Sequence, residues 1–277
     1  MPIAELNFLH PEERCAVVRP STGGCDDASE VGQFESIAVQ ISDARGRNTS
    51  LDREGFGLRN HSTSIGDWWD DDAIAHTYEA ELKSFLMAET GAVRVETFDH
   101  TRRASSAETR RVRRIREPSA TVHNDYDAAA GLQRWLDFFP QESDVLSNHR
   151  LAVLNVWRSI AGTVEDFPIA FCDASSVETE DLVSVERVAR DRTGSLQLLK
   201  HRDSQQWFYY PGLKANEVLL FKVYDSAQDG RCRFTPHTSF SEASSTQHER
   251  ISIESRCFLL FDSNTNETQN FNSKGKL

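Results

Sequence analysis

Cysteine is scarce in this chain and poorly placed for crosslinking. The five cysteines, at positions 15, 25, 172, 232 and 257, are odd in number, and no two are spaced as Cys-x-x-Cys. That argues against a disulfide framework and a structural zinc knuckle, and it fits a reducing, cytoplasmic compartment. Positive charge is also short. Lysine and arginine total 31 against 43 acidic residues, for a net charge of −12. A surface this acidic repels a phosphate backbone, so nucleic acid is not an expected partner. No apolar run approaches the roughly 18–20 residues that cross a bilayer, so no membrane partner is expected either. The first residues, MPIAELNFLH, carry neither the basic nor the apolar region of a secretory signal. No internal repeat is visible.

What is present is a β-rich pattern. Short strands are expected at 34–39 (FESIAV) and near Phe56 and Leu58. A helix is expected over 69–90. Asp70, Asp71 and Asp72 load its start, Ile74, Tyr78, Leu82, Phe85 and Leu86 recur at helical spacing, and Gly91 stops it. A strand follows at 93–98. Seven arginines crowd 102–116, read as a solvated loop or as a lid that draws in an anion. After a short helix at 128–139, strands dominate: 151–157, 167–173, 195–200, 206–211, 217–225, 231–235 and 251–261. Strands punctuated by turns predict a sandwich or barrel. The expectation is a mainly β fold with flanking helices, a double-stranded β-helix of the jelly-roll, cupin-like type. One domain is expected over 1–277, with 1–118 flanking, 119–261 as the core and 262–277 as a loose polar tail.

His123-Asn124-Asp125 places an imidazole and a carboxylate two residues apart, on one side of an extended segment. With a distant histidine, such a pair makes the two-His, one-carboxylate facial triad of non-haem iron(II) oxygenases. His237, after Pro236, is the candidate third ligand. The triad leaves coordination positions open for a chelating 2-oxo acid and for dioxygen. Downstream, Arg250-Ile251-Ser252 puts a guanidinium fork and a hydroxyl on one strand face, suited to the far carboxylate of 2-oxoglutarate. Arg256 shares that face and is the rival clamp. Asp225 is a weaker carboxylate candidate, because Asp-Ser after a strand more often marks a turn. The same donor set would accept zinc, giving a hydrolase or lyase, or could serve a non-catalytic binding protein; the Arg-x-Ser element favours the oxygenase.

The segments TGAVRVETFDHTRR, ATVHNDYD, LNVWRSIAGTVEDFPIAFCDASSV, QWFYYPGLKANEVLLFKVYDS, RCRFTPHTSF and RISIESR occur in this order across most of the chain. They resemble the fungal AsaB- and CmcJ-like hydroxylase/desaturase family of secondary metabolism. The resemblance implies dependence on Fe(II), 2-oxoglutarate and dioxygen. It also implies a small natural-product substrate, an acid or amino acid being one option, that is hydroxylated, desaturated or closed into a ring such as an aziridine. It implies His123, Asp125 and His237 as metal ligands and Arg250 and Ser252 at the cosubstrate. Asn155, Trp157 and Arg158 match the Asn-Val-Trp-Arg segment, and Tyr209 and Tyr210 an aromatic strand; Asn155 is expected at the cofactor, and Trp157, Arg158 and Tyr209 at the substrate. Where the family pattern has a histidine before the aromatic segment, this chain has Gln205, so that position offers no ligand. A monomer or homodimer is expected.

Overall fold

The computed structural model describes residues 1–24, 26, 28–241 and 248–262. Its strands, in chain order, are β1 (Ile3–Leu9), β2 (Val17–Arg19), β3 (Ser29–Val31), β4 (Phe34–Asp43), β5 (Phe56–Asn60), β6 (Arg94–Ala104), β7 (His123–Asn124), β8 (His149–Ser159), β9 (Ile169–Cys172), β10 (Leu182–Val188), β11 (Thr193–Leu199), β12 (Trp207–Tyr209), β13 (Glu217–Asp225), β14 (His237–Ser239) and β15 (Ile251–Asp262). They form two sheets. The larger runs β1-β4-β12-β9-β14-β7-β11-β10-β2-β3, and the smaller runs β5-β13-β8-β15-β6. This is the expected jelly roll.

The alternation along β8 shows how the layers are made. Leu151, Val153 and Trp157 face inward, meeting Phe171 and Phe208 of the larger sheet and Phe221 and Phe258 of the smaller one. Ala152, Leu154 and Val156 face outward, beneath a helical segment. Period-2 side-chain direction explains this split, and burial of both faces explains why LAVLNVW reads as an apolar run broken only by Asn155.

That helical segment comprises α1 (Asp71–Ala73), a π-helical turn (Ile74–Tyr78) and α2 (Glu79–Thr90). The Asp70 side chain accepts from the Ala73 amide, and Gly91 ends the run at φ 75°, a conformation that favours glycine. Ile74, Tyr78, Leu82 and Leu86 pack on the smaller sheet. α3 (Ala107–Arg113), α4 (Ala128–Phe138) and a short α5 (Val145–Asn148) complete the α-helices among the described residues.

Two sequence expectations need correction. The arginine-rich stretch is not a loop: β6 extends to Ala104, and α3 follows, started by the Ser106 hydroxyl accepting from the Thr109 amide. Residues 231–235 are not a strand, because their polar groups bond outside any ladder: Cys232 N–H donates to Asp52 O and the Cys232 carbonyl accepts from Lys222 Nζ. The ladder starts again only at His237. β1, β2, β3 and β10 were not foreseen, being short or mixed in polarity. The expected polar tail from residue 263 lies outside the described residues.

Candidate metal centre and its surroundings

β7 is only two residues long, yet it sits between β11 and β14. His123 is the direct cross-strand partner of His237. Their ring centroids are 4.5 Å apart. Asn124, pointing the other way, is fully buried and fixes the local chain: its amide nitrogen donates to the Tyr126 and Val223 carbonyls, and its oxygen accepts from the Thr235 amide. One side chain thereby ties β7 to β13 and to the segment that delivers His237.

Each imidazole is oriented by its own strand. His123 Nδ1 lies 2.8 Å from the Thr121 carbonyl, and His237 Nδ1 lies 2.9 Å from the Thr235 carbonyl. A carbonyl can only accept, so Nδ1 carries the proton in both rings and Nε2 carries the lone pair. Burial and the neighbouring His123 push the His237 imidazolium down to about 3, so this ring is neutral at physiological pH.

Asp125 completes the set. Its Oδ1 is 3.4 Å from His123 Nε2 and 3.9 Å from His237 Nε2. Its Oδ2 is taken up by Asn155 Nδ2 at 2.9 Å and Arg256 Nε at 2.7 Å. Burial works against the Asp125 carboxylate, but the Arg256 guanidinium holds its pKa well below the usual range. Three ligand atoms, all within 4.8 Å of one another, are left facing a common point. His123, Asp125 and His237 would hold a metal ion between them. The donor set fits iron(II).

The rival carboxylate Asp225 is elsewhere. It is buried against Arg150 and Lys222, with Arg150 Nη2 at 2.6 Å and Lys222 Nζ at 2.8 Å.

Arg250 lies further along the inner face. Its guanidinium donates to Ser252 Oγ, to Ser239 Oγ at 2.8 Å and to the Phe167 carbonyl at 2.6 Å, and it stacks 4.9 Å from the Trp157 ring. Ser239 is two residues beyond His237, and Trp157 two beyond Asn155, so the guanidinium stands one pleat step, about 6.6 Å, from the ligand level. Among the described residues no carboxylate pairs with it. Burial, and then repulsion from Arg103, push it down to about 9. The buried Trp157 Nε1 is also without a partner among the described residues. Arg256, by contrast, contacts Asp125, Asp99 and Glu254 at once. Its donors are already committed.

Two expected site residues point away. Arg158 falls on the outer face of β8, where it meets His61, the Ala215 carbonyl and the Trp68 ring. Tyr209 packs outside the larger sheet, against Phe240 at 5.4 Å. Both are displaced from the triad by the period-2 rule: Asn155 and Trp157 face inward, so Arg158 cannot. Asn155 belongs to the centre, through Asp125. Trp157 is core packing beneath Arg250.

A cavity of about 760 Å³ opens beside His123, Asp125 and Tyr126. Arg187, Asn124 and Asp99 are contributors that sequence reasoning missed. One local signal was available: both histidines lie in Thr-x-His, Thr121-Val122-His123 and Thr235-Pro236-His237.

A family model described as "Oxidoreductase/YMDC permease-like domain" matches residues 6–260. The hydroxylase/desaturase CTB9 of Cercospora beticola is 28% identical over 254 residues, covering 83% of this chain and 78% of that protein. The alpha-ketoglutarate-dependent dioxygenase phiK of a fungal species is 27% identical over 258 residues, covering 87% and 92%. The solved iron and alpha-ketoglutarate-dependent endoperoxidase NvfI superposes with a TM-score of 0.80 at 24% identity, covering 94% of this chain and 98% of that one, which shows the shared fold. No helix among the described residues is long and apolar enough to cross a membrane.

Proposed function

The chain belongs to the fungal hydroxylase/desaturase family of oxidoreductases, and we infer that it is an iron(II)- and 2-oxoglutarate-dependent oxygenase whose metal is held by His123, Asp125 and His237. One observation carries the ligand assignment. Both Nδ1 atoms and Asp125 Oδ2 are engaged by other groups, so the three remaining donor atoms have one shared direction in which to act.

In this reading, Arg250 and Ser252 hold the far carboxylate of 2-oxoglutarate, supported by a buried guanidinium with no carboxylate partner among the described residues. Arg256 and Asn155 hold Asp125 so that only Oδ1 reaches the metal. The Phe171 and Phe221 rings pack against His237 and exclude water behind it. Bound iron(II), with dioxygen and the 2-oxo acid, supplies an oxidant able to take hydrogen from an unactivated C–H bond, the cosubstrate leaving as succinate and carbon dioxide. The outcome is hydroxylation, desaturation or ring closure on a small molecule. The arginines around the cavity favour a substrate with an acid group. Strands from both ends of the chain share the two sheets, which supports one catalytic domain. Cys15, Cys172, Cys232 and Cys257 remain free thiols, which supports a cytoplasmic setting.

Anaerobic titration of the protein with iron(II) and 2-oxoglutarate tests this. A visible charge-transfer band should form, and it should vanish in His123→Ala and Asp125→Ala. A band that survives in either variant removes that residue from the ligand set. Arg250→Ala should keep iron binding but weaken 2-oxoglutarate by about 2–5 kcal/mol.

A further inference from the structure

We propose that Arg116 and Arg187 form an oxyanion clamp for the primary substrate, so that the attacked C–H bond belongs to a small molecule bearing a carboxylate or a phosphate ester. This deepens the oxygenase reading and rests on it for the position of the reacting bond.

The chain as a whole is acidic, at −12, yet the cavity beside the triad is lined by eight arginines against five carboxylates. Several of those arginines are already paired: Arg102 with Asp71, Arg192 with Asp137, and Arg256 with three acids. Arg116 and Arg187 are different. Both are partly buried, and among the described residues neither guanidinium has a hydrogen bond or a carboxylate within salt-bridge distance.

Their surroundings make that costly. Burial disfavours the charged form of each. Arg116 is further opposed by Arg103, Arg187 and Arg256, offset in part by Asp99, and Arg187 by Arg256, offset in part by Asp125 and Tyr126. Half-buried cations held close together, with no carboxylate in contact, leave room for a ligand that supplies the missing charge. The guanidinium fork matches a carboxylate or phosphate edge with two parallel hydrogen bonds.

Position assigns the clamp to the substrate, not to 2-oxoglutarate. Arg187 stands on β10, within the field of Asp125 and Tyr126. Arg116 bridges to Arg103 of β6, near Asp99. Both border the open cavity, whereas Arg250 lies on the inner face over Trp157 and does not line it. An anion held by Arg116 and Arg187 sits on the cavity side of the triad, and the rest of the molecule extends toward the metal.

The test is calorimetric binding of hexanoate, hexyl phosphate and hexanamide to anaerobic protein loaded with iron(II) and 2-oxoglutarate, and to metal-free protein. We expect one or both anions to bind wild type about tenfold or more tighter than the amide. Arg116→Gln and Arg187→Gln should each remove most of that preference while the 2-oxoglutarate band half-saturates unchanged. Arg187→Lys, which keeps the charge but not the fork, should fall between. The tighter anion decides between carboxylate and phosphate. Equal binding of amide and anions, or anion binding indifferent to both Gln variants, overturns the proposal. So does a loss of 2-oxoglutarate affinity in either variant, which would move these arginines to the cosubstrate. Failure of wild type to form the band at all strikes the metal-centre reading instead, and the metal-free arm still tests the clamp.

Discussion

Asn155 and Arg256 are neighbours across β8 and β15, and both hold Asp125 Oδ2. Partners that orient a metal ligand typically affect metal affinity by about 10–100-fold. Asn155→Ala should therefore weaken iron(II) binding by about tenfold or more, read in an anaerobic titration, with little change in unfolding midpoint. Unchanged affinity would mean that Arg256 fixes the carboxylate alone. The convergence of His123, Asp125 and His237, the proposed ligands, was legible in the sequence, because a His-x-Asp pair needs only an extended backbone to converge. What Arg256 does was not. A strand pattern gives the face on which an arginine lies, but not which carboxylates cross from other strands to meet it. The Arg158 and Tyr209 expectations failed for a related reason. A matching segment carries residues of both faces, and only the observed alternation says which are inward.

Within elements, α4 shows how packing overrides propensity. Its expected span, 128–139, agrees closely with Ala128–Phe138, begun by Asp127 accepting from the Ala130 amide. At Gly131, alanine would normally improve a helix by about 1 kcal/mol. Here a Cβ would come within 2.4 Å of the buried Tyr224 ring. Overpacking of that kind costs about 1–3 kcal/mol, so Gly131→Ala should lower the thermal midpoint. A higher midpoint would mean that the ring moves aside freely. Strong periodic elements such as β8 and the helical segment 71–90 were visible in advance. Of the three-residue strands, β12 was visible within 206–211 but β2, β3 and β14 were not; β2 and β14 pair with strands distant in sequence.

At the scale of the whole molecule, Asp225 joins β13 to β8 through Arg150, and Lys222 extends the link to Asp52. Burial alone would raise the Asp225 carboxyl, but Arg150 and Lys222 hold it below its usual value. Its stabilising contribution is therefore complete above the unfolded carboxyl pKa of about 3.9 and is lost as pH falls through the lower folded value. Asp225→Asn should cost about 3 kcal/mol at pH 7, because two cations lose their buried partner and keep only the more exposed Asp52. In urea unfolding, the gap between wild type and variant should narrow below about pH 4. A gap independent of pH would assign the loss to shape and not to charge.

His123 and His237 face one another although most of the catalytic half of the chain lies between them. A cation shared by the two turns residues 124–236 into a closed ring, fastened by coordination bonds where a secreted protein would use sulfur. Such a fastening restricts the unfolded chain as any long closure does, but a chelator can undo it. With the proposed ligands, supply of the ion should set how long the polypeptide survives heat or protease as well as whether it turns over.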